Sequence, residues 1–198
     1  MTKPASNPTV AIAYGLGEGP AISKRLREGL SQKGYALIDN VSQADIVIAH
    51  SGGIYSLPTD ATNKVVLLVG PSCGRKGRSL TRTQFNKVGQ DLRFAVKHRR
   101  VGSWLRKSYH NAAYIAREPQ ALKAMWRAAQ SNGNFLPALS ADKVAVICYK
   151  GDPWSGYIES EQVENNEHYS FIEHNGVHDD LWTNPQEYIS VIQYLYES

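Results

Sequence analysis

Three side chains with complementary chemistry stand far apart in this chain. Ser51 follows the apolar run Ile46-Val47-Ile48-Ala49 by way of His50, and Gly52-Gly53 come directly after it. Glycines at the end of a buried strand let the backbone turn tightly without steric cost, so the Ser51 hydroxyl is expected at the carboxyl edge of a sheet. Asp152 closes a later apolar run, Val144 to Tyr149, and His178 lies in the polar loop after the last one, Tyr169 to Ile172. A hydroxyl, an imidazole to take its proton and a carboxylate to orient that imidazole are the parts of nucleophilic acyl transfer. His174 is the alternative base. It stands four residues before His178, a spacing that would suit a metal on a helix, but Asn175-Gly176 between them reads as loop and no metal site is expected. His50 is expected to pack beneath the turn.

The pentapeptide Ala49-His50-Ser51-Gly52-Gly53 resembles the nucleophile elbow G-x-S-x-G of the α/β-hydrolase family, with alanine in place of the first glycine. The chain order Ser, Asp, His is also that family's order. Gly151-Asp152-Pro153-Trp154 is similar to its acid loop, and Gly176-Val177-His178-Asp179-Asp180-Leu181-Trp182, followed by Asn184-Pro185 and a helix, to its histidine loop. The resemblance covers two blocks, 9 to 71 and 142 to 198. It implies a small single-domain serine hydrolase in which Ser51, Asp152 and His178 form the triad. It also implies backbone N–H groups of Leu16 and Gly52 as oxyanion donors and no metal or organic cofactor. Tyr14-Gly15 stands where the family often has His-Gly.

The elements that would position these groups follow from apolar periodicity. Val10 to Tyr14 reads as a buried strand. A glycine-rich turn then leads into a helix with Pro20 in its first turn, Ile22, Leu26 and Leu30 on its apolar face and Gly34 at its end. Strands are expected at Tyr35 to Ile38, at Ile46 to Ala49, where only a brief helix fits before Pro58, and at Lys64 to Val69. Strands and helices alternating on short connections predict an α/β fold of three layers: a mostly parallel central sheet with helices on both faces, whose ligands meet the carboxyl edge. The sequence predicts one domain over 1–198. Residues 75–139 would form a mostly helical basic insertion or cap, with helices at Thr81 to Lys97, Val101 to Arg117 and Pro119 to Gln130. The closing helix starts from Asn184 as N-cap, Pro185 at its first position and Glu187 as an Asn-type capping box, with Tyr188, Ile192 and Leu195 buried.

Composition sets the outer bounds. The 198 residues, 42% hydrophobic and 20% charged, are enough for one domain with a sizeable core. The polar N-terminus and the lack of a long apolar run predict a cytoplasmic protein without a membrane span. Cys73 and Cys148 form no metal or redox motif. The net charge of +4 conceals a split: Arg75 to Lys107 holds eleven Lys or Arg and one acid, whereas Gly151 to Ser198 holds ten acids and no Lys or Arg. Such a split reads first as two complementary faces, and second as a patch for nucleic acid or an anionic surface.

The leading expectation is therefore a hydrolase that cleaves a small-molecule carboxylic ester, less readily an amide, through an acyl-enzyme on Ser51. Two alternatives remain open. Gly15-x-Gly17-x-Gly19 with Asp39 some way beyond resembles a Rossmann-like dinucleotide turn, although Pro20 replaces its last glycine. A non-catalytic relative would instead use the basic segment and Trp104 to hold an acidic partner. Neither acyl-chain length nor oligomeric state is legible.

Overall fold

The structure is a computed structural model. It describes residues 7–15, 18–57, 64–71, 80–97, 99–117, 119–120, 123, 127, 141–150, 152 and 169–198. A six-stranded, wholly parallel sheet forms its centre in the order β2-β1-β3-β4-β5-β6. The strands are β1 (Thr9–Ala13), β2 (Ala36–Leu37), β3 (Ile46–His50), β4 (Val65–Val69), β5 (Lys143–Tyr149) and β6 (Tyr169–His174). The middle strands are buried throughout, which is why they read as continuous apolar runs rather than alternating ones.

Side-chain direction alternates along each strand and divides the core in two. Ile46 and Ile48 point to one face with Val65, Leu67, Val69 and Ile147, where α1 (Lys24–Gln32), α4 (Asp180–Thr183) and α5 (Pro185–Glu197) cover them with Leu26, Leu30, Leu181, Tyr188, Ile189 and Ile192. Val47, Ala49, Val66, Leu68, Val144 and Val146 point to the other, against Ala44, Ile54 and Ala141. Ile54 comes from a 3-10 helix, Ser51–Ser56, that follows β3 without a break.

Several boundaries differ from the sequence expectation, each for a local reason. Helix α1 begins at Lys24 and not at Pro20, because Gly19 and Pro20 are taken up in turns whose carbonyls accept from Ile22, Ser23 and the Ser23 hydroxyl. Asn184 makes no side-chain cap, so the capping box does not form; Glu187 is drawn instead to His174 Nε2 at 2.9 Å. β6 extends two residues beyond Ile172, which puts His174 on a strand and shortens the histidine loop. The short helix α4 was not foreseen. Tyr188, Ile192 and Leu195 are buried as expected.

The basic segment supplies α2 (Leu80–Lys97) and α3 (Val101–Arg117), joined where Arg99 takes φ +55°. Most of the third expected helix, 119–130, lies outside the described residues. Partly buried Lys87 of α2 forms an ion pair with Asp91 one turn on and with Asp179 beside His178. Among the described residues, seven large apolar side chains of α2 and α3 are exposed: Phe85, Val88, Leu92, Val96, Val101, Leu105 and Tyr109. Among the described residues no helix is long and apolar enough to cross a membrane.

Candidate active site

The carboxyl edge gathers the predicted residues because neighbouring strands carry them. Ser51 follows β3, Gly70 follows β4, Asp152 follows β5 and His178 follows β6. Ser51 takes φ +54°, a left-handed conformation that an L residue with a Cβ adopts only at a cost of roughly 1–2 kcal/mol. That turn throws the chain from an extended His50 directly into the 3-10 helix. Gly53 is needed for a different reason. A Cβ there would stand 2.1 Å from the Ala13 carbonyl oxygen, so the elbow presses backbone to backbone against β1. Ala49, where the family pattern has glycine, is fully buried between Ala13 and Leu68, and its methyl group fits.

Asp152 and His178 meet. The His178 Nδ1–Asp152 Oδ2 distance is 2.6 Å and both residues are almost completely buried, at 3% and 1% exposure. A carboxylate accepts, so Nδ1 carries the hydrogen and Nε2 is the basic nitrogen. Burial works against a charged imidazole here, but the Asp152 carboxylate, with Asp179 adding to it and Lys87 opposing, holds the His178 pKa above the ordinary histidine value. Gly70, at φ +51°, makes room for this ring: a Cβ at that position would lie 3.1 Å from Nδ1.

Ser51 is 7% exposed and abuts the loop after β1, where a Cβ on Gly15 would come within 2.9 Å of the Ser51 Cβ. The Gly52 N–H falls in the first turn of the 3-10 helix, where amides have no intrahelical acceptor. Leu16, the other expected oxyanion donor, lies outside the described residues.

Two residues that sequence reasoning underrated complete the site. His50 is fully buried, with Nε2 at 2.7 Å from the His178 carbonyl oxygen and Nδ1 at 2.8 and 2.9 Å from the two Glu18 oxygens. Glu18 also accepts from the Gly15 N–H at 2.8 Å and the Trp182 indole N–H at 3.0 Å. The signal in the sequence was an acid inside a glycine-rich turn at the edge where ligands bind. The same contacts weigh against a dinucleotide turn, since Glu18 occupies the amide that a phosphate would need and α1 begins only at Lys24.

His174 is not placed as the base. Its Nε2 pairs with Glu187 and its ring lies edge-on to Tyr149. Among the described residues two groups of side chains have spacing that could suit a metal, His50/His178/Asp179 and His174/Asp180/Glu187. In the first, both His50 nitrogens and His178 Nδ1 are already hydrogen-bonded, and Lys87 pairs with Asp179. In the second, Arg100 stands 4.0 Å from Asp180, whose other contacts include the Thr183 hydroxyl.

Solved structures share this architecture along nearly the whole chain. An esterase from Exiguobacterium antarcticum superposes with a TM-score of 0.63 at 13% identity, covering 96% of this chain and 92% of that one. The chain has the α/β-hydrolase fold. A deformylase from Pseudomonas putida gives a TM-score of 0.62 at 13% identity, covering 96% and 93%, and the thioesterase domain of the curacin biosynthetic pathway 0.58 at 11%, covering 94% and 91%. No family model matches the sequence, and a search of curated proteins finds no match. At these identities the α/β-hydrolase likeness is one of fold, and the chemistry has to be argued from the residues at the edge.

Proposed function

We propose that this α/β-hydrolase-fold protein is a serine hydrolase that cleaves a carboxylic ester, less readily an amide, through an acyl-enzyme on Ser51. One observation carries the reading: a buried Asp152–His178 pair in contact at 2.6 Å, on the same sheet edge as a serine held at positive φ. In this reading His178 Nε2 takes the Ser51 proton as Oγ attacks the ester carbonyl. Asp152 fixes the tautomer and stabilises the imidazolium, and the N–H groups of Gly52 and Leu16 receive the oxyanion. Collapse expels the alcohol with the proton from His178; water, activated by the same imidazole, then releases the acid and restores Ser51. An esterase, a thioesterase domain and a deformylase among the structural neighbours support the class of reaction.

The substrate is proposed to carry negative charge. A cavity of about 220 Å³ beside the histidine loop, lined by neither Ser51 nor His178, has Trp104 and Trp182 in its lining together with Lys24, Arg25, Arg100 and Arg106, which outnumber the acids Asp91 and Asp179. Those cations favour a carboxylate or similar anion on the ester.

The test uses a fluorophosphonate serine probe and a panel of p-nitrophenyl esters, neutral and anionic. Wild type should label on Ser51 and turn over at least one ester, with anionic members preferred, whereas Ser51→Ala should do neither and His178→Ala should lose turnover. Labelling that persists in Ser51→Ala would remove the nucleophile assignment.

A second reading rests on the stretch from Leu80 to Arg117, which in α2, α3 and the link between them holds nine Lys or Arg against one acid, buried Asp91, beside the exposed apolar stripe. In it the chain is a non-catalytic binder of an acidic partner. A protein that fails every ester yet captures a polyanion with steep salt dependence would support it.

A further inference from the structure

The elbow histidine and the glycine-loop glutamate form a second buried His–carboxylate pair that the triad does not use. Glu18 joins three separate segments: the loop after β1, through the Gly15 N–H; the end of β3, through His50 Nδ1; and α4, through the Trp182 indole. Its side chain is 5% exposed, and the His50 ring packs edge-on to Trp182 and 4.9 Å from the His178 ring. The bond from His50 Nε2 to the backbone of His178 closes the set. A carbonyl oxygen only accepts, so Nε2 must carry a hydrogen, and that hydrogen reaches the main chain of the proposed base.

We infer that Glu18 and His50 are positioning residues for this site: together they fix the backbone of His178 against the turn that holds Ser51 and against the loop proposed to supply the first oxyanion donor. The inference rests on the serine-hydrolase reading above. The Glu18 carboxylate ties residues 15, 50 and 182 together, so losing it frees all three edges at once. Asp152 then holds the His178 ring while the main chain beneath it shifts. Buried carboxylates with several N–H partners hold geometry well because any displacement leaves donors unpaired in a dry site. A displacement on the order of 1 Å at a catalytic group lowers turnover by roughly a hundredfold.

The experiment compares wild type with Glu18→Ala, His50→Leu, His50→Gln and Trp182→Phe, each checked for folding by circular dichroism and urea unfolding. Initial rates with the best p-nitrophenyl ester give kcat and KM, and the fluorophosphonate gives a labelling rate at Ser51. In Glu18→Ala and His50→Leu kcat should fall about 10- to 100-fold with KM within about twofold, because positioning acts in the transition state more than in binding. His50→Gln should recover most of that loss, since its amide N–H reaches the His178 carbonyl as Nε2 does. Should His50→Leu fail to fold, Trp182→Phe carries the test: it keeps the ring contact, removes one donor to Glu18 and should lower kcat about fivefold. Folded Glu18→Ala and Trp182→Phe with wild-type kcat, or a loss confined to KM, would overturn the inference. Wild type that never labels at Ser51 would instead overturn the reading on which it stands.

Discussion

His178 has opposing neighbours, and their balance sets its pH behaviour. Burial disfavours the imidazolium, the Asp152 and Asp179 carboxylates favour it more strongly, Lys87 opposes, and the net shift is upward from about 6.5. As a general base His178 must be neutral, so kcat/KM is expected to fall on the acid side with an inflection above the ordinary histidine value. Asp179→Asn removes one of the carboxylates that raise it and should move the inflection toward acid, read from the pH profile of ester hydrolysis. An unmoved inflection would show that Asp179 does not act on the base. The same shift carries a stability term of fixed sign. A histidine whose pKa is raised on folding stabilises fully below its unfolded value, and that stability is lost as pH rises through the folded value. Wild type should therefore lose stability between those two points while His178→Gln, which does not titrate there, loses less.

At the scale of elements, α2 is tied to the histidine loop by one ammonium group. Burial pushes the Lys87 pKa down, but Asp179 and Asp91 outweigh it and raise it, so Lys87 stays charged between two buried carboxylates. Lys87→Met leaves those carboxylates without their cation and should cost roughly 3 kcal/mol, measured by urea unfolding. A loss below about 1 kcal/mol would place the pair in the class of solvent-screened bridges instead. This link was not legible in the sequence, because Lys87 and Asp179 are ninety-two positions apart and no periodicity relates them. β3, β4 and β5 were legible, since a strand buried on both faces leaves an uninterrupted run of Val, Ile, Leu and Ala. So was the elbow, because Gly53 must lack a Cβ. The start of α1 was not: Pro20 fits a first helical turn as well as the turn it occupies, and hydrogen bonds decided between them. Glu18 was missed for the same reason as Lys87, since its meaning comes from partners 32 and 164 positions away.

Across the whole molecule, the side chains of the proposed site hang from loops while their supports lie in one layer. α1 and α5 pack against each other and over β1, β3 and β4, with Gly29 so close to Ile189 that a Cβ would stand 2.6 Å from its Cδ1. Ile192 is fully buried in that layer, away from the carboxyl edge. Truncation to Ile192→Ala removes buried methyl groups and opens a cavity, which costs about 2–5 kcal/mol when the surroundings relax only in part. The catalytic proposal requires that this loss stay separate from turnover. Where the variant remains folded, at low temperature and without denaturant, its kcat on the best ester should equal wild type, because the Asp152–His178 contact and the Glu18 hub lie on strand ends that the cavity does not touch. Glu18→Ala should show the reverse pattern, a large fall in kcat beyond what its stability loss accounts for. If Ile192→Ala, fully folded by circular dichroism, lost turnover in proportion to its stability, the edge would be soft and its geometry set by the helical layer. The strand-end contacts would then not be what holds the histidine.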